Sequence, residues 1–170
     1  MQLLALSGSL RAASSNSVLL RAAARLAPDG VTVHVYERVG DLPHFSPDIV
    51  PGEVVADLKR LVSEADGVVF STPEYAHGLP GAFKNALDWL VSDGELWDKP
   101  VAVLSARRCE FAEPQLREVL HALMARTVEQ ACVVVALPTN KITEEDVLGD
   151  DRVAGLIRQA LGAFVGTLAR

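Results

Sequence analysis

The stretch LLALSGSLRAASSNSVLLRAAARL, residues 3–26, joins a short apolar run, a polar loop and a helical pattern. The run covers residues 3–6 and ends at Ser7-Gly8, and the apolar side chains of residues 19–26 recur at the spacing of one helix face. A short apolar strand that leads through a tight turn into an amphipathic helix is the beginning of a β-α-β unit. This stretch therefore predicts the first strand and the first helix of an α/β fold.

Four further strand-like runs follow, and helical patterns separate them. The runs cover residues 31–36, 68–70, 101–104 and 132–137. The last helical pattern extends from Val153 to Phe164, and Asp150 or Asp151 is its expected N-cap. Strict alternation of strands and helices predicts a doubly wound, five-stranded parallel sheet with helices on both faces.

Two stretches without periodicity, Arg38 to Pro51 and Pro138 to Gly149, are predicted to be surface loops. Neither a repeat nor a long linker interrupts the alternation of elements. We therefore expect a single domain that covers residues 1–170.

Composition excludes several classes of function. The chain has 170 residues and a net charge of −6, without a basic run longer than Arg107-Arg108, so nucleic acid is not an expected partner. Cys109 and Cys132 lie far apart without a neighbouring histidine cluster, which predicts neither a metal site nor a disulfide framework. The longest apolar run is too short to span a bilayer, and the first residues do not resemble a secretory leader. We expect a cytoplasmic protein without a membrane partner.

Three loops follow strands at the edge where open α/β sheets bind ligands. They are Ser7 to Asn16, Ser71 to Pro80, and Ser105 to Glu113. Because the carboxyl ends of parallel strands lie at one edge of the sheet, we expect the functional residues in these loops.

The first loop carries the residue types of an anion site. Ser9, Ser14, Ser15 and Asn16 supply hydroxyl and amide donors, and Arg11 supplies a cation, all next to a helix N-terminus. Neither GxxxxGK[ST] nor GxGxxG is present, so a terminal monophosphate fits better than a pyrophosphate. The alternative is that a serine merely caps the helix while the arginine is solvated.

The second loop has an irregular backbone that is rich in proline and glycine. Two prolines and two glycines fall within residues 73–81, which fixes main-chain donors and acceptors at set positions. Tyr75 adds a flat aromatic face. The pattern predicts a platform for a heterocyclic ring.

The motifs of these two loops together resemble the NADPH-dependent FMN reductase family of flavin, quinone and azo-dye reductases. The resemblance covers about the first half of the chain, and its motifs are GSLR with Ser14 and Asn16, PEY at 73–75, and PGxxKNAxDW at 80–89. It implies a flavodoxin-like fold with strand order 2-1-3-4-5 and one FMN, whose phosphate is bound by the first loop and whose ring lies against residues 73–76. The candidate cofactor-binding residues are Ser9, Leu10, Arg11, Ser14, Ser15, Asn16, Pro73, Glu74, Tyr75, Ala76, His77 and Ser105.

The resemblance also implies an activity. Hydride would pass from NADPH or NADH to FMN and the electrons then to a small acceptor such as a flavin or quinone, in a homodimer or homotetramer. No catalytic side chain is required, because the flavin supplies the chemistry. Two alternatives remain at this point: a flavodoxin-type electron carrier, and a flavin-free binding member of the fold.

The sequence departs from the family pattern in two places. Ala76 replaces an asparagine that many members carry, and the loop after strand four lacks the usual glycines. The second departure predicts that the backbone of that loop approaches a flavin less closely.

Several residues near the loops have more than one interpretation. His77 is a candidate proton relay or an inert surface residue, and Cys109 is a candidate reactive thiol. Arg107-Arg108 is solvated, faces the flavin edge, or meets a phosphate of the nicotinamide cofactor. Trp89 is expected in the core or in a subunit interface.

Overall fold

A parallel sheet forms the centre of the computed structural model, which describes residues 1–11, 13–139 and 141–169. Its strands are β1 (Gln2–Ser7), β2 (Thr32–Tyr36), β3 (Gly67–Ser71), β4 (Pro100–Ser105), β5 (Arg126–Thr127) and β6 (Val133–Val134). The helices are α1 (Ser15–Arg25), α2 (Glu53–Glu64), α3 (Gly81–Asp88), α4 (Ala112–Ala122), α5 (Glu144–Gly149) and α6 (Asp151–Leu168). The order β2-β1-β3-β4-β5 confirms the doubly wound, flavodoxin-like prediction.

The fifth position of the sheet differs from the expectation, because two short strands share it. β5 pairs with the start of β4 and β6 with its end, and a 3-10 turn at Glu129–Ala131 separates them. The predicted strand at 132–137 was wrong in its length, since only Val133 and Val134 belong to a strand. Ala136, with φ +56°, ends the extended run.

Two hydrophobic cores cover the two faces of the sheet, as the apolar strands require. Leu19 of α1 and Phe164 of α6 pack on one face. Leu58 of α2, Phe83 of α3 and Leu116 of α4 pack on the other. The prediction of helices on both faces is thus confirmed.

Helix α5 lies inside the stretch 138–149, which was predicted to be a loop. Thr143 and Asp146 form a reciprocal capping box at its start, in which the Thr143 N–H donates to the Asp146 carboxylate over 2.9 Å. The helix is only six residues long and buries Val147, so its periodicity is too short to detect from sequence. The next helix, α6, is capped by the side chain of Asp150, which accepts from the Val153 N–H over 3.0 Å, as predicted.

The other predicted loop, 38–51, contains one 3-10 turn at Val39–Asp41 and is fixed to α3. The Trp89 indole N–H donates to the Pro43 carbonyl over 2.8 Å, and its ring meets Phe45 edge-on at 5.1 Å. Trp89 is 2% exposed, so it is a core residue. Although α6 has 18 residues, none of the helices that the structure describes is apolar and long enough to cross a membrane.

Candidate functional site

Three neighbouring strands end in a buried serine at the same edge of the sheet. Ser7 of β1 lies beside Ser71 of β3 in the pairing register, and Ser105 ends β4. The Ser7 hydroxyl shares a 2.8 Å hydrogen bond with Ser17 of α1, and the Ser105 hydroxyl donates to Glu113 over 2.9 Å. These partners satisfy the buried hydroxyls and make a rigid polar floor for the loops above.

Gly8 allows the first and second loops to approach each other closely. Its N–H donates to the Ser71 carbonyl over 2.8 Å. A Cβ at this position would lie 2.4 Å from the Thr72 hydroxyl oxygen and 3.0 Å from a ring carbon of Phe83. Only glycine fits without displacing its neighbours, so the turn at this residue is fixed by tertiary packing.

The first loop ends in the N-terminus of α1. Ser14 is the N-cap, and its hydroxyl accepts from the Asn16 N–H over 3.3 Å. The Asn16 side chain in turn accepts from the Ser71 hydroxyl over 2.9 Å, which ties the helix to β3. The first turn contains no acidic residue, so the positive end of the helix dipole is not neutralised.

A cavity of about 260 Å³ opens above these loops. It brings together most of the predicted site residues: Ser9, Arg11, Ser14, Ser15, Asn16, Pro73, Glu74 and Tyr75. Thr72, Ala106, Arg107, Arg108 and Cys109 complete the lining. Residues that lie far apart in sequence therefore form one site at the carboxyl edge of the sheet.

Four predicted site residues lie outside this cavity. The Leu10 side chain is 58% exposed and borders two neighbouring grooves. Ala76 and His77 are exposed beyond Tyr75, and Ser105 is buried in the polar floor. Thr72 and Ala106 were missed because a small residue at a strand end carries no ligand signal in sequence.

The second loop is held by the N-terminus of α4. The Glu74 carboxylate accepts from the Phe111 N–H over 2.6 Å and from the Ala112 N–H over 3.0 Å. These two backbone donors, of which Ala112 has the larger effect, lower the pKa of Glu74. The carboxylate is therefore engaged with the protein although Glu74 borders the cavity.

The tip of the second loop has an uncommon backbone. Ala76 and His77 are consecutive residues with φ of +47° and +58°, in the left-handed region. The His77 ring stacks on Phe111 at 4.4 Å, and Gln115 accepts from the Leu79 N–H over 3.1 Å. Contacts from α4 thus hold the tip in a conformation that alanine disfavours.

The loop after β4 closes the third side of the cavity. Every residue from 105 to 113 is described, and none of them has φ in the left-handed region, so the absence of glycine causes no backbone strain here. The Cys109 thiol lies 3.8 Å from the Thr72 carbonyl. Burial, and then the charges of Glu74 and Glu113, raise the pKa of Cys109, which makes the thiol a weak nucleophile.

The donor set fits a phosphate-bearing ligand. Hydroxyls, one amide and Arg11 surround the N-terminus of an 11-residue helix, and the carboxylate of Glu74 is turned to α4 at the other side. This arrangement favours an anion near α1, and Tyr75, which is 48% exposed and lines the cavity, offers an aromatic ring for stacking.

Comparisons with known proteins agree with this geometry. The model of a family described as NADPH-dependent FMN reductase matches residues 1–139. A quinone reductase of Escherichia coli (strain K12) is 32% identical over 97% of this chain and 95% of its own length. An NAD(P)H-dependent FMN reductase of Pseudomonas aeruginosa is 30% identical over 96% of this chain and 92% of its own.

Solved structures include a similar fold. The flavoenzyme NAD(P)H:(acceptor) oxidoreductase FerB from Paracoccus denitrificans superposes with a TM-score of 0.75 and is 26% identical. The match covers 99% of this chain and 97% of that chain. The similarity therefore extends over the second half of the chain, beyond the motif-bearing loops.

Proposed function

The chain belongs to the NADPH-dependent FMN reductase family, and on this premise we propose which of its residues bind the phosphate and the ring of FMN. The chain is an NAD(P)H-dependent FMN oxidoreductase, in which FMN, when bound, would supply the chemistry of hydride transfer between NADPH or NADH and a small-molecule acceptor. Family membership favours this activity over the electron carrier and over the flavin-free binding protein.

The phosphate of FMN would be held at the α1 side of the cavity. Ser9, Ser14, Ser15 and Asn16 offer hydroxyl and amide groups there, and the exposed guanidinium of Arg11 faces the same cavity. Together with the helix N-terminus these groups match the charge and the acceptor-rich surface of a phosphate dianion. This donor set is the single observation that carries the proposal.

The ring of FMN would lie between the second and third loops. Pro73, Tyr75, Ala106 and Cys109 line that part of the cavity. Because the Glu74 side chain is occupied by α4, its contribution to a ligand would come from its backbone. Leu10, Ala76, His77 and Ser105 do not line the cavity and stay predicted contacts.

We propose a quinone as the acceptor. Several of the similar proteins are named for quinones, among them the E. coli quinone reductase and an NADPH:quinone oxidoreductase of Arabidopsis thaliana. A planar acceptor requires an open stacking site, and the exposed face of Tyr75 is compatible with one. We further propose that residues 1–170 form one domain of a cytoplasmic homodimer or homotetramer, with neither nucleic acid nor membrane as a partner.

The test is to purify the protein, add FMN and measure the dissociation constant by flavin fluorescence. NADPH and NADH oxidation is then followed with and without a benzoquinone. We expect tight FMN binding, acceleration by the quinone, and parallel lines in double-reciprocal plots, because both substrates use the same face in turn. A protein that binds no FMN would contradict the proposal.

A further inference from the structure

Arg107 and Arg108 are two exposed cations that line the cavity from the loop after β4. Neither forms an ion pair with any carboxylate in the described part of the chain, although most other arginines do. Their charge is therefore directed at solvent and at the cavity.

Among the residues that the structure describes, the carboxylates nearest to this loop do not pair with either arginine. Glu74 accepts from two backbone N–H groups of α4. Glu113 accepts from the Ser105 hydroxyl and pairs with Arg117 at 3.4 Å. Glu110 is exposed and forms no ion pair with either arginine in the described structure. The protein itself thus leaves the charge of the arginine pair unbalanced.

The phosphate of FMN does not account for this pair. The α1 side of the cavity already has a cation in Arg11 and a set of hydroxyl donors. The positive charge is also local, because the whole chain has a net charge of −6. A second anionic group, brought by another substrate, is the simplest use for two free guanidinium groups at the rim.

We propose that Arg107 and Arg108 form a second anion subsite, which recognises a phosphate of the nicotinamide nucleotide and chiefly the 2′-phosphate of NADPH. This inference rests on the proposed function of the cavity. Guanidinium groups bind phosphate through paired donors, whereas a pyrophosphate is usually bound by the backbone of a glycine-rich turn. The chain has no glycine between Gly94 and Gly149, so the loop favours a single phosphate ester.

An exposed subsite also suits the order of events. The nucleotide must leave before the acceptor reaches the same flavin face. The subsite therefore has to bind the nucleotide strongly enough to select it and weakly enough to release it. Solvent-exposed arginines meet this requirement, because water and salt screen their attraction.

The experiment compares the FMN-loaded wild type with the double variant Arg107→Ala/Arg108→Ala. Arg158→Ala is the matched control, since Arg158 is an exposed arginine on α6 that does not line the cavity. KM is measured for NADPH and NADH, and the dissociation constants of NADP⁺ and NAD⁺ are measured by titration calorimetry at two salt concentrations.

We expect the double variant to raise the NADPH KM and the NADP⁺ dissociation constant by roughly 10- to 100-fold, as for lost charge-assisted bonds. The KM for NADH and the dissociation constant of NAD⁺ should change by no more than about twofold, and the salt dependence of NADP⁺ binding should weaken. The double variant should bind FMN as tightly as the wild type does. The control variant should have the wild-type constants for both nucleotides.

The remaining outcomes are equally decisive. An equal loss for both nucleotides overturns the assignment to the 2′-phosphate, because NAD⁺ carries no such group. Unchanged binding of both nucleotides overturns the inference, as does a loss confined to FMN affinity, which would assign the arginines to the flavin. A wild type that takes up no FMN contradicts the proposed function instead, and the NADP⁺ and NAD⁺ titrations then test the subsite on the flavin-free protein.

Discussion

The two ends of the cavity are stabilised in different ways. At the α1 end, Ser9, Ser14 and Asn16 are at least 92% buried and bond to neighbours in the same loop or in β3. Just beyond the other end, the tip of the second loop is exposed, has two residues in the left-handed region, and depends on contacts with α4. At the α1 end two of these three bonds join residues two positions apart and the third reaches β3, whereas the side-chain hydrogen bonds between the second loop and α4 join residues 36 to 38 positions apart.

The largest effect is expected at the α1 end, from Arg11→Ala. Loss of the one cation of the first loop should weaken FMN binding by about 1.5–3 kcal/mol, the range for a charge-assisted bond. The FMN dissociation constant checks this, and Arg158→Ala is the control. An unchanged constant would show that the guanidinium is solvated and that the hydroxyls alone hold the phosphate.

Gly8→Ala tests whether the α1 end is as rigid as its packing indicates. The new Cβ would overlap the Thr72 side chain, so the free energy of unfolding should fall by about 1–3 kcal/mol. Denaturant titration measures this. Gly155→Ala, inside α6 with open space around it, should instead raise stability by roughly 0.5–1 kcal/mol. A similar change in the free energy of unfolding of the two variants would refute the close approach of the first and second loops.

Ala76→Gly tests the strain at the tip of the second loop. Glycine accepts φ of +47° without a steric cost, so stability should rise by about 0.5–1 kcal/mol despite the greater freedom of the unfolded chain. The comparison is Ala56→Gly, at an exposed position inside α2, where stability should fall by about 1 kcal/mol. Thermal or denaturant unfolding measures the stability of both variants. A decrease in the stability of both would mean that Ala76 is not strained.

Glu74→Gln should give the smallest change in stability, because the carboxylate is exposed to solvent. The fold lowers the pKa of Glu74, so its contribution is complete above the unfolded pKa and is lost as pH falls through the lowered value in the folded protein. The wild type should therefore exceed the variant in stability at neutral pH, and the two should converge in acid. Glu118→Gln, an exposed change on α4, is the matched control.

The sequence predicts the α1 end better than the tip for the same physical reason. Hydroxyl residues beside a helix start act within a few positions, so their chemistry can be inferred without coordinates. Glu74 was predicted to contact the flavin, but the effect of α4 on its side chain depends on Phe111 and Ala112, which no local pattern relates to it.

Two elements were missed because they are short. β5 has two residues, and no periodicity can be detected over that length. Helix α5 is also brief, but its start was detectable, since Thr143 and Asp146 have the spacing of a capping box. For the glycine-free loop after β4, the sequence predicts a less close approach to a flavin, and the described residues 105–113 adopt ordinary backbone angles without glycine.

The interrupted strand at the β5–β6 side of the sheet bears on how the protein behaves at high concentration. A long, straight outer strand offers a row of free backbone groups to another chain and promotes aggregation. Here the 3-10 turn at 129–131 divides that row into two pieces of two residues each. Neither piece is long enough to template a foreign strand, so this side of the sheet resists self-association through its backbone.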